Sequence, residues 1–264
     1  MAIVVCGING ITWQWLLAVV VFGSGAYFMK QKRWLTYTGS LSAFFVACIL
    51  YQGGLMFFVM PFFLLIGGTL ISKLNADEGE KNGRNAIQVL ANGGVALLCL
   101  LGWYWYTDVS LKSVFLKAYL ISFSISICDT FSSEVGKYLN GHTIDIFSLR
   151  KIQKGLSGGI SIQGTIAGAL SVGIACSLIP MCFGLSWTTA FYIAFAGFLG
   201  MVLDSILGSL LQATYISEDG QISETANPSA KLYKGFAWCT NDVVNVLSNA
   251  IVTGAFIVYV FILQ

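Results

Sequence analysis

The sequence predicts an all-α, polytopic membrane protein with about eight transmembrane spans. Of its 264 residues, 56% are hydrophobic and only 10% are charged, whereas an average soluble domain is about one quarter charged. The mean hydropathy is +0.78, and the apolar residues form runs close to the roughly 20 residues that a helix needs to cross a bilayer. We expect one integral membrane domain over residues 1–264.

The eight predicted spans are separated by short polar segments. The second and third spans meet at Gly53 and Gly54, so we expect this pair to be irregular where it joins. The spans cover residues 11–29, 35–52, 54–72, 87–106, 113–136, 160–183, 187–212 and 236–263.

The positive charges predict the orientation of the spans. Twelve of the fourteen Lys and Arg residues fall in the loops between spans 1 and 2, 3 and 4, 5 and 6, and 7 and 8. Basic loops stay on the cytoplasmic side, so we expect a multi-pass protein with these loops in the cytoplasm and both termini on the other side. The net charge is +2 without a basic stripe, which argues against a nucleic-acid partner.

Acidic residues recur at one depth of the predicted bundle. Asp129 and Glu134 lie at the cytoplasmic end of span 5, Asp204 lies near that end of span 7, and Asp242 lies in the cytoplasmic half of span 8. Ionisable residues inside spans are costly and mostly functional. We therefore predict a site that opens to the cytoplasm. On an ideal helix Asp129 and Glu134 point about 140° apart, so they share a cavity only if the helix unwinds or ends near Ser132 and Ser133.

The residue types around these acids indicate chemistry on phosphates. Magnesium prefers oxygen ligands and uses one or two carboxylates together with substrate phosphates. Span 6 begins after a glycine-rich turn, and such a helix start favours phosphate, although the spacing of a Walker A loop is absent. Asn241 and Asn245 add amide oxygens of the same kind. The candidate catalytic residues and metal ligands are Asp129, Glu134, Asp204 and Asp242, and the candidate nucleotide- or phosphate-binding residues are Lys151, Lys154, Gly158, Gly159, Ser161, Asn241 and Asn245.

Structural explanations exist for each of these patterns. The acids of span 5 also fit a solvated helix end, Asp204 fits a hydrogen bond between helices, and the glycine turn fits a flexible loop. Gly164 and Gly168 favour a close helix-packing face. Taken from the residues alone, the chemistry is phosphoryl or nucleotidyl transfer on a lipid.

Several motifs, in this order, resemble the membrane family that contains plant phytyl-phosphate kinase and animal transmembrane protein 19. The glycine loop departs from the family pattern, because Gln153 to Ser157 replace a Pro-x-Gly-Thr-(Asn/Asp) stretch before Gly158 and Gly159. The matching stretches are Gly83-Arg84 with Gln88 to Gly94, Asp129 to Gly136, Ser157 to Ser161 with Gly164 to Gly168, Gly200 to Gln212, and Asn241 to Asn245.

The resemblance implies a kinase that converts an isoprenoid monophosphate, such as phytyl or geranylgeranyl phosphate, to the diphosphate. It implies Mg²⁺ as cofactor and CTP or another nucleoside triphosphate as donor. It adds Arg84 and Asn92 to the residues expected to bind nucleotide or phosphate, and the prenyl tail is expected against the Gly164 and Gly168 face. The expected partners are the isoprenoid phosphate and the bilayer, with a homo-oligomer left open.

Two alternatives remain at this stage. Intramembrane acids also mark ion paths, so one alternative is a cation- or proton-coupled transporter. The other is a CTP-dependent cytidylyltransferase or a polyprenol kinase that acts on a free alcohol.

Overall fold

The structure is a computed structural model that describes residues 13–75, 83–139 and 141–263. These residues form two compact units, one of residues 13–58 with 83–89 and one of residues 59–75 with 90–263. The single-domain expectation for the whole chain remains a prediction. The first residues of predicted span 1 lie outside the described residues.

The first unit is built on two packed helices, α1 (Trp13–Gln31) and α2 (Tyr37–Gly53). Tyr51 of α2 contacts the rings of Trp15 and Phe22 of α1 at centroid distances of 5.0 and 5.7 Å. Thr36 caps α2 by accepting a hydrogen bond from the Gly39 N–H at 3.2 Å. The Thr36 N–H itself donates to the Arg84 carbonyl oxygen at 3.0 Å, which ties residues 83–89 to the start of α2.

The segment after α2 is irregular, as the sequence predicts. Gly54 has a φ of +104°, a conformation that glycine adopts without strain. A 3₁₀ turn (Leu55–Phe58) follows, then α3 (Val59–Phe62), a π-helical stretch (Phe63–Gly67) and α4 (Gly68–Asn75). Pro61 has no backbone N–H to donate, which helps to explain why no single α-helix runs through this span.

The second unit surrounds one buried helix, α6 (Val109–Tyr138). Every residue from Ala118 to Cys128 is buried, including three serines. The Ser124 and Ser126 hydroxyls donate to the carbonyl oxygens of Leu120 and Asn92, whereas the Ser122 hydroxyl has no partner among the described residues. Besides α3 and α4, the other helices of the unit are most of α5 (Ala86–Trp105), then α7 (Ile162–Ser177), α8 (Ile179–Phe183), α9 (Trp187–Leu211) and α10 (Asn241–Ile262).

Glycines let α7 and α9 approach α6 closely. A Cβ atom on Gly197 of α9 would lie 2.8 Å from the Ser124 Cβ, and one on Gly168 of α7 would lie 2.8 Å from the Cys128 carbonyl oxygen. A Cβ on Gly164 would lie 2.6 Å from the Ser132 carbonyl oxygen. The Gly164 and Gly168 face is therefore filled by α6, which confirms the predicted packing role and contradicts the expectation that a prenyl tail lies there.

Two small sheets interrupt the predicted all-α architecture. β1 (Ile144–Asp145) pairs with β2 (Gly159–Ile160), and β3 (Thr214–Ile216), β4 (Ile222–Ser223) and β5 (Lys231–Lys234) form a sheet of order β4-β3-β5. β3 turns into β4 around Gly220, whose φ is +80°. Neither sheet is predictable from the sequence pattern, because the strands have only two to four residues, which is too short for a periodic pattern.

Among the described residues, six helical segments are long and apolar enough to span a membrane. α1 and α2 coincide with predicted spans 1 and 2 but do not belong to the six, and α2 has only 17 residues. The count of eight spans and the side on which the termini lie remain predictions. The six segments are Leu55–Asn75, Ala86–Trp105, Val109–Tyr138, Ile162–Phe183, Trp187–Leu211 and Asn241–Ile262.

A methyl group on Gly168 tests the approach of α7 to α6. We expect Gly168→Ala to lower the melting temperature in detergent, because overpacking costs about 1–3 kcal/mol. A Cβ on Gly173 of the same helix would have no neighbouring atom within 4 Å. Gly173→Ala should therefore leave the melting temperature unchanged or raise it. Equal melting temperatures for the two variants would contradict the close approach.

Candidate functional site

Asp129 and Glu134 lie on one continuous helix, because α6 runs unbroken to Tyr138. The helix does not unwind near Ser132, so the condition under which the two acids share a cavity is not met. Glu134 instead accepts a hydrogen bond from the Asn75 side chain at 3.0 Å and lies 3.8 Å from the Lys137 ammonium. Asn75 also donates to the Glu134 carbonyl oxygen at 2.7 Å, so Glu134 joins α4 to α6.

Asp129 and Asp204 form the carboxylate pair of the second unit. The two groups repel each other electrostatically, and the preceding turn of α9 places Met201 against Cys128 at 3.6 Å between the sulfur atoms. Asp204 is buried and accepts a hydrogen bond from the Ser248 hydroxyl at 2.8 Å. Asp129 has no hydrogen-bond donor within the described part of the chain, so its carboxylate remains available to a ligand.

The amides of α10 divide into two roles. Asn249 donates to the Ser122 carbonyl oxygen at 3.1 Å and to the Ser126 hydroxyl at 3.0 Å, which joins α10 to α6. Asn245 precedes Ser248 by one turn, and its buried side-chain oxygen has no hydrogen-bond partner among the described residues. Buried polar atoms are mostly satisfied, so the Asn245 oxygen is a candidate ligand atom.

Asn241 and Asp242 lie in the first turn of α10. Asn241 is exposed and Asp242 is half-buried. Neither side chain has a hydrogen bond to another described residue. Their predicted roles remain predictions, and the contacts of the structure do not join them to the Asp129 and Asp204 pair.

The side-chain oxygens of Asp129, Asp204 and Asn245 suit a Mg²⁺ ion that takes its other ligands from water and substrate. They are too few for a metal ion bound by protein side chains alone. Among the described residues, no group of three or more His, Cys, Asp or Glu side chains is arranged to hold a metal ion. Magnesium, however, takes one or two carboxylates and completes its shell with water and substrate phosphates. Asp129 and Asp204, with the unpaired oxygen of Asn245, are a donor set of that kind.

Lys137 is a cation of the site that the sequence analysis counted only as a loop charge. Its ammonium attracts the carboxylates of Glu134, Asp129 and Glu224. It also lies beside the glycine loop, since a Cβ on Gly155 would be 3.7 Å from the Lys137 Cε. Lys137 therefore connects the acids of α6 with the residues predicted to bind phosphate.

The glycine loop packs onto the end of α9. A Cβ on Gly158 would lie 2.5 Å from the Ser209 Cβ, so only glycine fits this position. The Gly159 N–H donates to the Leu156 carbonyl oxygen at 3.1 Å, and the Ser161 hydroxyl accepts from the Gly164 N–H at 3.1 Å as the cap of α7. The Gly159 N–H and the Ser161 hydroxyl, both in residues predicted to bind phosphate, thus already have partners within the chain.

One amide of the loop already binds a carboxylate. The Ser157 N–H donates to the Glu224 side chain, which reaches it from the segment between β4 and β5. Burial raises the pKa of Glu224, although the Ser157 amide, the Lys137 charge and the Gln212 side chain act in the opposite direction. Lys151 and Lys154 lie on the exposed surface of the same loop.

Asp145 is a buried acid that the sequence analysis missed. It is only 3% exposed, and its Oδ1 atom accepts from the backbone N–H groups of Phe147 and Ser148 at 3.2 and 2.7 Å. Its Oδ2 atom accepts from the Ser209 hydroxyl at 2.6 Å and lies 3.6 Å from the Lys234 ammonium. One carboxylate thus joins the loop after α6, the last turn of α9 and β5. The signal in the sequence is slight, an aspartate between Ile144 and Ile146.

The remaining predicted residues lie on α5 and before it. The Asn92 carbonyl oxygen accepts from the Ser126 hydroxyl at 2.7 Å, which places Asn92 beside the buried part of α6. Arg84 belongs to the first unit, where its backbone N–H donates to the Trp34 carbonyl oxygen at 3.0 Å. The phosphate-binding role of both residues remains a prediction.

Comparison with known proteins gives the family. The model of the family described as integral membrane protein DUF92 matches residues 16–253. The chain belongs to the DUF92 family. No solved structure matches it.

Relatives of this DUF92 protein cover most of its length. Protein PGR of Arabidopsis thaliana is 25% identical over 93% of the chain and 97% of its own length. Protein VTE6, chloroplastic, of the same plant is 25% identical over 90% of the chain and 68% of its own length. The membrane protein sll0875 of Synechocystis sp. is 26% identical over 90% of the chain and 88% of its own length. The family resemblance drawn from the motifs is thereby confirmed.

The stability of this DUF92 protein should depend on Asp145 in acid. Burial alone would raise the pKa of Asp145, but hydrogen bonds from Ser209 and Ser148 and the Lys234 charge lower it from 3.8 to about 2. A group with a lowered pKa in the folded state contributes stability above its unfolded pKa and loses it as the pH falls through the folded value. We expect wild type to unfold at a higher temperature than Asp145→Asn above about pH 4, with the gap narrowing toward pH 2.

Thermal unfolding across this pH range measures the gap. The matched control is Glu218→Gln, at the exposed turn between β3 and β4, which should leave the melting temperature nearly unchanged. A difference in melting temperature between wild type and Asp145→Asn that stays constant from pH 5 to pH 2 would contradict the lowered pKa of Asp145.

Proposed function

We propose that the protein is a membrane kinase that transfers a phosphoryl group from a nucleoside triphosphate, with CTP as the favoured donor, to an isoprenoid monophosphate. The product is the isoprenoid diphosphate, and the site faces the cytoplasm. The observation that carries the proposal is the Asp129 and Asp204 pair, with Lys137 between these acids and the glycine loop. Carboxylates, a lysine and a helix start together suit the handling of phosphates.

The residues have separate roles in this reaction. The acceptor is a phosphate oxygen that is already anionic, so the reaction needs no strong general base and depends on positioning and neutralisation of charge. Lys137 would offset the charge of the two substrates, and Ser248 would hold the Asp204 carboxylate in place. Asp129, Asp204 and Asn245 would hold Mg²⁺, which would supply positive charge to offset the negative charge that develops on the phosphates.

The family supports the class of substrate. The motif stretches around Asp129 and Asp204 are those that resemble the family of plant phytyl-phosphate kinase, and membership in DUF92 is shown. A substrate with a prenyl tail and a phosphate head also suits a protein with six apolar helices and a polar site near their ends.

A cation-coupled transporter is the second candidate. The buried side-chain oxygens of Asn249 and Thr253 have no hydrogen-bond partners among the described residues, and they lie deeper along α10 than Asn245. Unpaired oxygens along one helix favour an ion path. Substrate uptake into proteoliposomes that depends on a cation gradient, together with no diphosphate formation, would favour this candidate over the kinase.

The decisive assay incubates purified, reconstituted protein with Mg²⁺, CTP and phytyl or geranylgeranyl phosphate and follows formation of the diphosphate. We expect diphosphate formation that chelation by EDTA abolishes. ATP, GTP and UTP in parallel reactions identify the donor, and phytol in place of its phosphate tests the alcohol kinase. No diphosphate with any donor and several prenyl chains would overturn the proposal.

Removal of one carboxylate charge should abolish most of the activity. We expect Asp129→Asn and Asp204→Asn each to lower kcat/KM by about 100-fold or more, since loss of a group that stabilises transferring phosphates costs on the order of 3 kcal/mol. Asp219→Asn, on an exposed turn, is the control and should keep full activity. Wild-type activity in folded Asp129→Asn would remove Asp129 from the site.

Neutralisation of Lys137 should weaken substrate binding. We expect Lys137→Met to raise KM for the nucleotide by about 10-fold or more, with Lys137→Arg retaining part of the affinity because it keeps the charge. Lys117→Met, nearer the start of α6, is the control on the same helix. An unchanged KM in Lys137→Met would show that this ammonium does not contact the substrate.

A further inference from the structure

The loops at the end of α9 expose a surface that is both apolar and basic. Four of its large side chains are Phe147, Leu149, Phe236 and Trp238, which are 66%, 70%, 50% and 64% exposed. Arg150 follows Leu149 directly and is exposed, and the exposed Lys231 begins β5, the strand that ends two residues before Phe236. These six residues are called the interfacial surface below. In water, a surface with so many large apolar side chains would be unfavourable.

Both parts of the interfacial surface are fixed to the last turn of α9. The turn that carries Phe147 and Leu149 begins at Asp145, whose carboxylate accepts from the Ser209 hydroxyl at 2.6 Å. On the other side, the Phe236 N–H donates to the Leu211 carbonyl oxygen at 3.0 Å. Since α9 is one of the helices that can span a membrane, both parts lie at the level where a span meets the polar boundary of the bilayer.

Leu149 is held outward at the cost of backbone strain. Its φ is +55°, which lies in the left-handed region that residues other than glycine seldom adopt. The conformation is stabilised by a hydrogen bond from the Leu149 N–H to the Asp145 carbonyl oxygen at 2.8 Å. Strain that keeps a leucine exposed is explained if its side chain lies in lipid.

The aromatic residues of the interfacial surface, Phe236 and Trp238, are of the kind found where membrane spans meet the lipid headgroups. Phe236 and Trp238 stack with a centroid distance of 5.8 Å and an interplanar angle of 24°, and Trp238 comes shortly before α10 begins at Asn241. Tryptophan is enriched where spans meet the headgroups. Basic side chains at this level attract anionic lipids, and Lys231 begins β5 at the edge of its sheet.

We propose that the interfacial surface inserts into a leaflet that contains anionic phospholipids. Phe147, Leu149, Phe236 and Trp238 reach the upper part of the acyl chains, and Arg150 and Lys231 lie against the lipid phosphates. The loops between α6 and α7 and between α9 and α10 are thus anchored in the membrane rather than suspended in water. This proposal is independent of the kinase reaction.

Fluorescence quenching in vesicles tests the insertion. An environment-sensitive fluorescent amino acid is placed at position 149, 238 or 219 of the full chain, reconstituted in phosphatidylcholine with phosphatidylglycerol. We expect lipids brominated near the headgroup end of the acyl chains to quench the label at 149 and 238, and aqueous iodide to quench the label at 219. Position 219 is the matched control, because it lies on an exposed turn of the same loop region. Positions 147 and 236 serve if a label at 149 or 238 prevents folding.

The quenching results distinguish lipid, water and a second copy of the chain as the neighbour of this surface. Equal lipid quenching at positions 149, 238 and 219 would overturn the proposal. Protection of 149 and 238 from both quenchers, growing with protein density in the vesicles, would overturn it in favour of a second copy of the chain. Stronger lipid quenching with phosphatidylglycerol than with phosphatidylcholine alone, lost in Arg150→Glu and Lys231→Glu, supports the role of anionic headgroups, and equal quenching in the two lipids would overturn that role.

Discussion

The close approach of α9 to α6 decides where the carboxylates of this protein lie. Gly197 leaves no room for a side chain against Ser124, so the two helices are in contact before either reaches its polar end. Two turns after Gly197, Asp204 is therefore held beside Asp129, although the carboxylates repel each other. Ser248 offsets part of the cost by donating to Asp204. The electrostatic repulsion between the two carboxylates is the reason that we expect a cation beside them.

The loops depend on the same helix. Ser209 of α9 holds the Asp145 carboxylate, while Gly208 and the backbone of Ser209 pack against Ser157 and Gly158. The glycine loop is consequently shaped by contact with α9 rather than by an open phosphate cradle. Its affinity for anions is nevertheless visible, because the Ser157 amide binds the Glu224 carboxylate. A phosphate at that amide would have to displace Glu224.

The positions of the helices and of the acids in them could be predicted from the sequence, whereas the residues that pair with the acids could not. Hydropathy locates α6 and α9, and the cost of burying a charge singles out Asp129 and Asp204. Lys137 and Asp145 look like ordinary loop charges, because their roles come from partners that are distant in the chain. The sequence left open whether the helix breaks near Ser132, and α6 is continuous there. The condition for a shared cavity of Asp129 and Glu134 is therefore not met, while their roles in metal binding remain predictions.

The charges around Lys137 bear on the need for a metal. Its ammonium lies 3.8 Å from the Glu134 carboxylate and attracts the carboxylates of Asp129 and Glu224. Asp204 interacts electrostatically with Asp129. One ammonium balances a single ionised carboxylate, so each further acid that ionises here leaves a net negative charge. A nucleoside triphosphate and a lipid phosphate would both be repelled from it. For the proposed phosphoryl transfer, added positive charge would lower this repulsion, and we expect a divalent cation to supply it at the Asp129 and Asp204 pair.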